Sequence, residues 1–116
     1  MDEIDERTVV DQPELLQNFP SADGFEGENH ATSVSIILVD MPPGDGVPLH
    51  KHPYAEIFIV QEGHARYTVG SETIDVVAPR TLIGPASVPH GFVNVGDVRL
   101  KQVDIHLSPK FITDWL

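Results

Sequence analysis

The sequence predicts an all-β sandwich or barrel closed by a short C-terminal helix. Three observations carry this: β-branched and aromatic runs separated by Gly, Pro and Asp clusters from Ser33 to Leu107, two explicit Gly-containing turns, and a length of 116 residues that suits one domain with one core.

Residues 1–30 come first as an acidic N-terminal arm, in which only Val9, Val10, Leu15, Leu16 and Phe19 offer anything to bury, so the arm is expected to lie over the domain. Residues 31–116 then form a single barrel domain. Its strand-like runs are Val34 to Asp40, Glu56 to Gln61, Ala65 to Val69, Thr73 to Val77, Thr81 to Ile83, Gly91 to Val95 and Val98 to Leu107. Glu62-Gly63 and Gly70-Ser71 each supply the Gly of a tight hairpin, so the runs they join are expected to pair antiparallel. The tail from Ser108 to Leu116 opens with Ser108 as an N-cap and Pro109 at the first helical position, and helical spacing puts Phe111, Ile112 and Trp115 on one face. So short a helix needs Phe111 and Trp115 docked on the sheets or on a second subunit.

Charge and composition exclude several classes. The formal charge is -11, and a surface of that sign repels phosphate backbones and anionic membranes, which argues against nucleic-acid and membrane partners. Met1 to Glu28 holds nine Asp or Glu against Arg7, a local charge of -8, so the other 88 residues carry -11 + 8 = -3 and the body is nearly balanced. The longest apolar runs, Ile36 to Val39 and Ile57 to Val60, are far shorter than the ~20 residues of a membrane span. No basic and apolar leader opens the chain, and the expected location is cytoplasmic. The absence of Cys excludes disulfides, thiolate ligands and a cysteine nucleophile.

Chemistry concentrates between Gly44 and Gly63. In an extended chain His50 and His52 point the same way and Glu56 keeps their parity, giving a face of two imidazoles and one carboxylate. Phe58 and Val60 continue that parity and make the surroundings apolar, as a buried metal site requires. His90, between Pro89 and Gly91 at the mouth of a later run, is a fourth candidate. Three imidazoles and a carboxylate suit one divalent transition ion, whether Fe, Mn, Ni, Zn, Co or Cu, and not Ca or Mg.

These residues resemble the motifs of the cupin family of small β-barrels. Gly44, His50, His52, Glu56 and Gly63 fill every fixed position of its first motif. Pro85, His90 and Asn94 match the second, while Pro79 and Ser87 stand where that motif has glycines, departures that bear on turn geometry and not on the ligand. The resemblance implies a double-stranded β-helix, or jelly-roll barrel, with His50, His52, Glu56 and His90 as metal ligands and Asn94 as a structural residue. It also implies a homodimer, through an edge strand or a terminal segment.

Tyr54 and Phe92 flank ligands, and with Phe58 they are candidates for a pocket wall or for core and rim packing. Gln102, Asp104 and His106 share one parity on the last long run, opposite Val103, Ile105 and Leu107. They line a pocket if that side faces the interior; the expectation is that it faces water. His64 and His30 are expected to have no role.

A divalent ion with these ligands leaves a site charge of about +1 and attracts a carboxylate, enolate or phenolate oxygen. The reading is a metal-dependent enzyme, dioxygenase-like, on a small oxygen-bearing organic ligand. The competing readings are a non-catalytic binding or sensing module, an isomerase, epimerase or cyclase, and a metal-stabilised barrel whose interior is plugged by side chains.

Overall fold

The computed structural model describes residues 8–11 and 25–116, so the expectation for Leu15, Leu16 and Phe19 lies outside the described residues. Nine strands follow in order: β1 (Ser35–Met41), β2 (Gly46–Lys51), β3 (Glu56–Glu62), β4 (His64–Val69), β5 (Glu72–Val77), β6 (Arg80–Gly84), β7 (His90–Asn94), β8 (Leu100–His106) and β9 (Asp114–Trp115). They form two sheets, β1-β8-β3-β6 and β5-β4-β7-β2-β9, antiparallel throughout. This is the all-β double-stranded β-helix. Among the described residues no helix is long and apolar enough to cross a membrane.

Alternation along the strands builds the core. Val39 and Met41 of β1, Phe58 and Val60 of β3, Ala65 and Tyr67 of β4, Phe92 of β7 and Leu100 of β8 all turn between the sheets and are buried. Asn94 ties a loop beneath them: its amide donates to the carbonyls of Met41 (3.1 Å) and Val98 (2.9 Å) and its oxygen accepts from the Gly96 N–H (3.0 Å).

The Gly70-Ser71 turn closes the β4-β5 hairpin, with Val69 facing Glu72. Glu62-Gly63 does not make the expected hairpin, because β3 and β4 belong to different sheets and Gly63 is the crossover between them. The position needs glycine twice over: its φ is +97°, and a Cβ would sit 2.9 Å from the Arg99 carbonyl.

The C-terminal helix is also corrected. The turn begins as expected, the Lys110 N–H donating to Ser108 Oγ at 3.1 Å, but the next amides are committed elsewhere. The Phe111 N–H donates to Glu26 Oε2 (3.0 Å), the Ile112 N–H to the Tyr54 hydroxyl (3.1 Å) and the Leu116 N–H to the Leu49 carbonyl (3.2 Å), while β9 pairs with β2. A single turn of helix gains too little from its own hydrogen bonds to compete with docking along a sheet edge. On the other side of this tail, Phe25 bridges Ile36 and the Glu28 N–H donates to the Pro109 carbonyl at 2.9 Å, so Phe25–His30 are tied to the barrel.

Strand β2 has no β-branched signature and contains Pro48, yet it carries the first histidine inward. Val47 faces Phe92 across the sheet, and strict alternation would then turn Leu49 inward; an irregularity between Val47 and His50 shifts the phase, leaving Leu49 exposed and His50 buried. Ser87 adopts φ +65°, the left-handed conformation for which the second motif keeps glycine, and its N–H donates to the His52 carbonyl at 2.7 Å.

Relief of that left-handed serine should make Ser87→Gly neutral or stabilising by up to ~1 kcal/mol, whereas Ser87→Val should destabilise by more than ~1 kcal/mol. Urea unfolding midpoints check the pair, and equal shifts in both would contradict the assignment.

Candidate metal centre

The four sequence candidates come from three different stretches and meet inside the barrel. His50 and His90 face each other across β2 and β7, Glu56 opens β3, and His52 lies just beyond β2. All four are buried, and one ligand atom from each lies within 4.8 Å of the others. His52 Nε2 is 3.0 Å and His90 Nε2 3.2 Å from Glu56 Oε1. Two donors ~2.1 Å from one ion, at roughly right angles, are separated by about that distance.

Hydrogen bonds on the far side of two rings set their tautomers. His50 Nδ1 donates to the Pro48 carbonyl and His52 Nδ1 to the Ile112 carbonyl, each at 2.8 Å, which leaves both Nε2 lone pairs available. His52 Nε2, His90 Nε2 and Glu56 Oε1 are buried and have no hydrogen-bond partner. Buried polar atoms are rarely left so, and three converging ones fit a divalent cation. The His90 ring is held by packing, 4.4 Å from His50 and 5.3 Å from Phe58 between centroids.

Electrostatics keep the donors in their ligating forms. Burial alone would raise the Glu56 carboxyl, but the imidazoles of His106, His52 and His90 hold it well below the ordinary carboxylate value. Burial lowers the His50 imidazole to about 4 against the opposing pull of the Pro48 carbonyl, with His90 and His52 lowering it further.

Gln102, Asp104 and His106 correct the solvated expectation. All three are buried on the inner side of β8, because the polar parity of that strand faces the metal site and the aliphatic parity faces out. His106 Nε2 is 3.3 Å from Glu56 Oε2, and its Nδ1 lies 2.7 Å from the Tyr54 hydroxyl. Since Tyr54 accepts from the Ile112 N–H, its own proton goes to His106 Nδ1, and the His106 Nε2–H is aimed at Glu56. Burial pushes the Tyr54 hydroxyl up to about 12, so it stays a donor. The Tyr67 hydroxyl donates to Gln102 Oε1, and Gln102 Nε2 donates to Asp104 Oδ1 at 2.8 Å. Burial, with the Glu56 charge beside it, holds the Asp104 carboxyl well above its ordinary value. Two neighbouring carboxyls are thus shifted in opposite directions, Glu56 toward the ionised form and Asp104 toward the protonated one.

A cavity of about 90 Å³ opens beside these groups. His50, His52, Glu56, Asp104 and His106 form its polar end, and Ile37, Val39, Met41 and Val47 its aliphatic wall, with Phe58 and Phe92 between. Tyr54 and Gln102 stand one layer behind the wall, acting through His106 and Asp104. The cavity argues against the reading of a plugged barrel. Phe111, Thr113 and Trp115 of the C-terminal segment also line it, a role the sequence concealed behind an apparent helix. His64 lies outside, 3.5 Å from Asp75, and the His30 ring stacks on Phe25 at 4.1 Å.

A two-sheet barrel with a buried three-histidine, one-carboxylate cluster beside a cavity defines a class of small barrels built to hold a metal ion. The family profile of the cupin domain matches residues 37–106, more than half of the chain, and the chain belongs to the cupin family. It is 40% identical over 80 residues to "Polyketide synthase CurC" of Streptomyces cyaneus, covering 68% of this chain and 51% of that one. It is 31% identical over 107 residues to "H2HPP isomerase" of Bacillus subtilis, covering 85% and 44%. The chain therefore spans about half the length of the curated relatives it matches. The structure resembles that of Bacillus subtilis oxalate decarboxylase, described by its Mn(II) centres, with a TM-score of 0.68, 26% identity, and coverage of 73% and 24%.

Replacing His52 or Glu56 by Ala should reduce bound metal to less than about a tenth, while His64→Ala retains it; elemental analysis of the purified proteins checks this. For pH, the folded His50 value lies below the unfolded value of 6.5, so the unfolded chain binds the proton first. His50 thus contributes stability above pH 6.5 that is lost as pH falls toward about 4. Asp104, raised, slopes the opposite way in wild type and variant alike. The melting temperature of chelator-treated wild type minus that of His50→Gln should therefore fall across this window, and a flat difference would contradict it.

Proposed function

We propose that this chain is a metal-dependent enzyme that isomerises or cyclises a small enolisable carbonyl compound by proton transfer within the cavity. The observation that carries the reading is the placing of a buried Asp104 carboxyl, whose burial favours the protonated form, beside an oriented His106 on the wall that also holds the candidate ligands. Acid–base chemistry needs groups of opposite proton preference reaching one bound molecule. The names of the isomerase and polyketide synthase relatives support the same class.

The chain's own residues divide the work. His50, His52, Glu56 and His90 would hold the ion, which when bound would supply Lewis-acid polarisation of a carbonyl oxygen. Burial favours the protonated form of the Asp104 carboxyl, whose orientation is set by the Gln102 amide that donates to its Oδ1 and is itself held by Tyr67. His106 is fixed in one tautomer by Tyr54. The aliphatic wall excludes water and takes the apolar part of the substrate, and the low dielectric there strengthens each polar contact.

A dioxygenase-like oxidoreductase is the second reading, favoured by the likeness to a manganese oxalate enzyme. Protein purified without added metal or chelator separates the readings when incubated in deuterium oxide with diketones, keto acids and catechols. Metal-dependent deuterium incorporation without oxygen uptake supports proton transfer; oxygen uptake supports the second reading; saturable binding with neither makes the chain a sensing module. With the proton-transfer substrate in hand, Asp104→Asn should lower kcat by about a hundredfold while retaining metal, and unchanged turnover would remove Asp104 from the chemistry.

A further inference from the structure

The four candidate ligands are sealed in: His52, Glu56 and His90 are each 2% exposed and His50 is 6% exposed. A hydrated ion and a substrate reach them only if part of the wall moves. Strands supply most of that wall and are laced to their neighbours, β1 pairing with β8 along all seven of its residues and β3 and β7 having partners on both sides. Residues 112–116 are the exception. Thr113 and Trp115 of this stretch line the cavity, yet β9 is a two-residue edge strand that pairs only with β2. Trp115 is 50% exposed while the other residues lining the cavity are buried or partly buried, so it stands where the cavity meets solvent.

A second hollow lies on the other side of the same stretch. Lys51, Pro53, Ser87, Ile112 and Asp114 line an outer groove of about 200 Å³, and His52 and Thr113 line both the groove and the cavity. The stretch is thus a partition one chain thick. Its base is anchored, the Ser108 carbonyl accepting from Ser35 Oγ at 2.7 Å and the Pro109 carbonyl from the Glu28 N–H at 2.9 Å. Beyond the base the ties are short. The Ile112 N–H donates to the Tyr54 hydroxyl, the Ile112 carbonyl accepts from His52 Nδ1 with the Thr113 hydroxyl 3.3 Å from the same nitrogen, and the Leu116 N–H donates to the Leu49 carbonyl beside the two β9 pairs. Ile112, Trp115 and Leu116 keep half or more of their surface in solvent, so apolar burial adds little to these bonds. Segments of that kind open locally at far less cost than a core strand.

We infer that residues 112–116 form a strap that swings on this base and admits ion and substrate to the cavity from the outer groove. Closure then does more than shut the path. It returns the Ile112 carbonyl to His52 Nδ1 and the Ile112 N–H to Tyr54, whose hydroxyl orients His106, and it sets Trp115 against His50 with ring centroids 4.8 Å apart. An open strap leaves the donors without those partners, so ion capture and closure are one coupled step. The inference rests on the candidate ligand set and holds whichever reaction the cavity carries out.

Metal exchange tests the strap without any substrate, so its failure and that of the proton-transfer reading are separate results. Leu49→Cys and Leu116→Cys together place thiols at exposed, hydrogen-bonded neighbours in a chain with no cysteine of its own, and a short bifunctional thiol cross-linker should tie the strap down. Chelator-treated protein is mixed with cobalt(II), uptake is followed by visible absorption, and release is followed into excess EDTA. Relative to the same protein without cross-linker, uptake and release should each slow by at least about tenfold while Kd stays within about threefold, because the path and not the site has changed. Trp115→Ala should speed both rates, and at a half-exposed position it decides alone if the double variant fails to fold. Cross-linking that leaves either rate unchanged would overturn the inference. So would a Trp115→Ala protein that speeds release alone, since a segment that only positions ligands alters how long the ion stays and not how fast it enters. A wild type that takes up no cobalt removes the ligand set and the strap's role together.

Discussion

A carboxylate carried into a barrel interior must be compensated, and the arrangement around Glu56 is organised by that requirement. Its burial opposes ionisation, yet imidazoles on three sides hold it ionised. Burial first, and the same Glu56 charge second, raise the Asp104 carboxyl next to it. Removing Glu56 would therefore take away a candidate ligand, an anchor for His106 and one of the two influences that raise the Asp104 carboxyl together, so those functions are coupled through one side chain.

Topology explains why these groups can meet. Glu56 and His106 are directly paired across β3 and β8 in one sheet, while His50 and His90 are paired across β2 and β7 in the other. The barrel brings the two pairs face to face, and the C-terminal segment completes the shell: the Ile112 carbonyl fixes His52, the Ile112 amide fixes Tyr54, and Phe111 and Trp115 pack on His106 and His50 with centroids 4.9 and 4.8 Å apart. A segment without regular helix thereby orients several groups of the site, at the expense of its own helical hydrogen bonds.

Much of the fold and the candidate ligand set was legible because both are written in short-range patterns. Strand alternation is local, and the parity of His50, His52 and Glu56 named residues that do converge, although the extended run breaks between β2 and β3 and Glu56 stands in the other sheet. Three features were not legible, each for a physical reason. The inward turn of Gln102, Asp104 and His106 reverses the usual rule because β8 has a polar interior to face and an aliphatic exterior, and no local pattern says which side is which. The crossover at Gly63 and a hairpin both call for glycine, and only the sheet partner distinguishes them. The tail carries true helix-start signals, which are outweighed by acceptors at Glu26, Tyr54 and Leu49, all distant in sequence.

Anomalous X-ray scattering from crystals of protein carrying its native metal tests the central claim most directly. The account predicts one peak per chain within about 2.3 Å of His50 Nε2, His52 Nε2, His90 Nε2 and Glu56 Oε1. A metal-replete crystal with no peak there, or with its ion bound elsewhere on the chain, would contradict it.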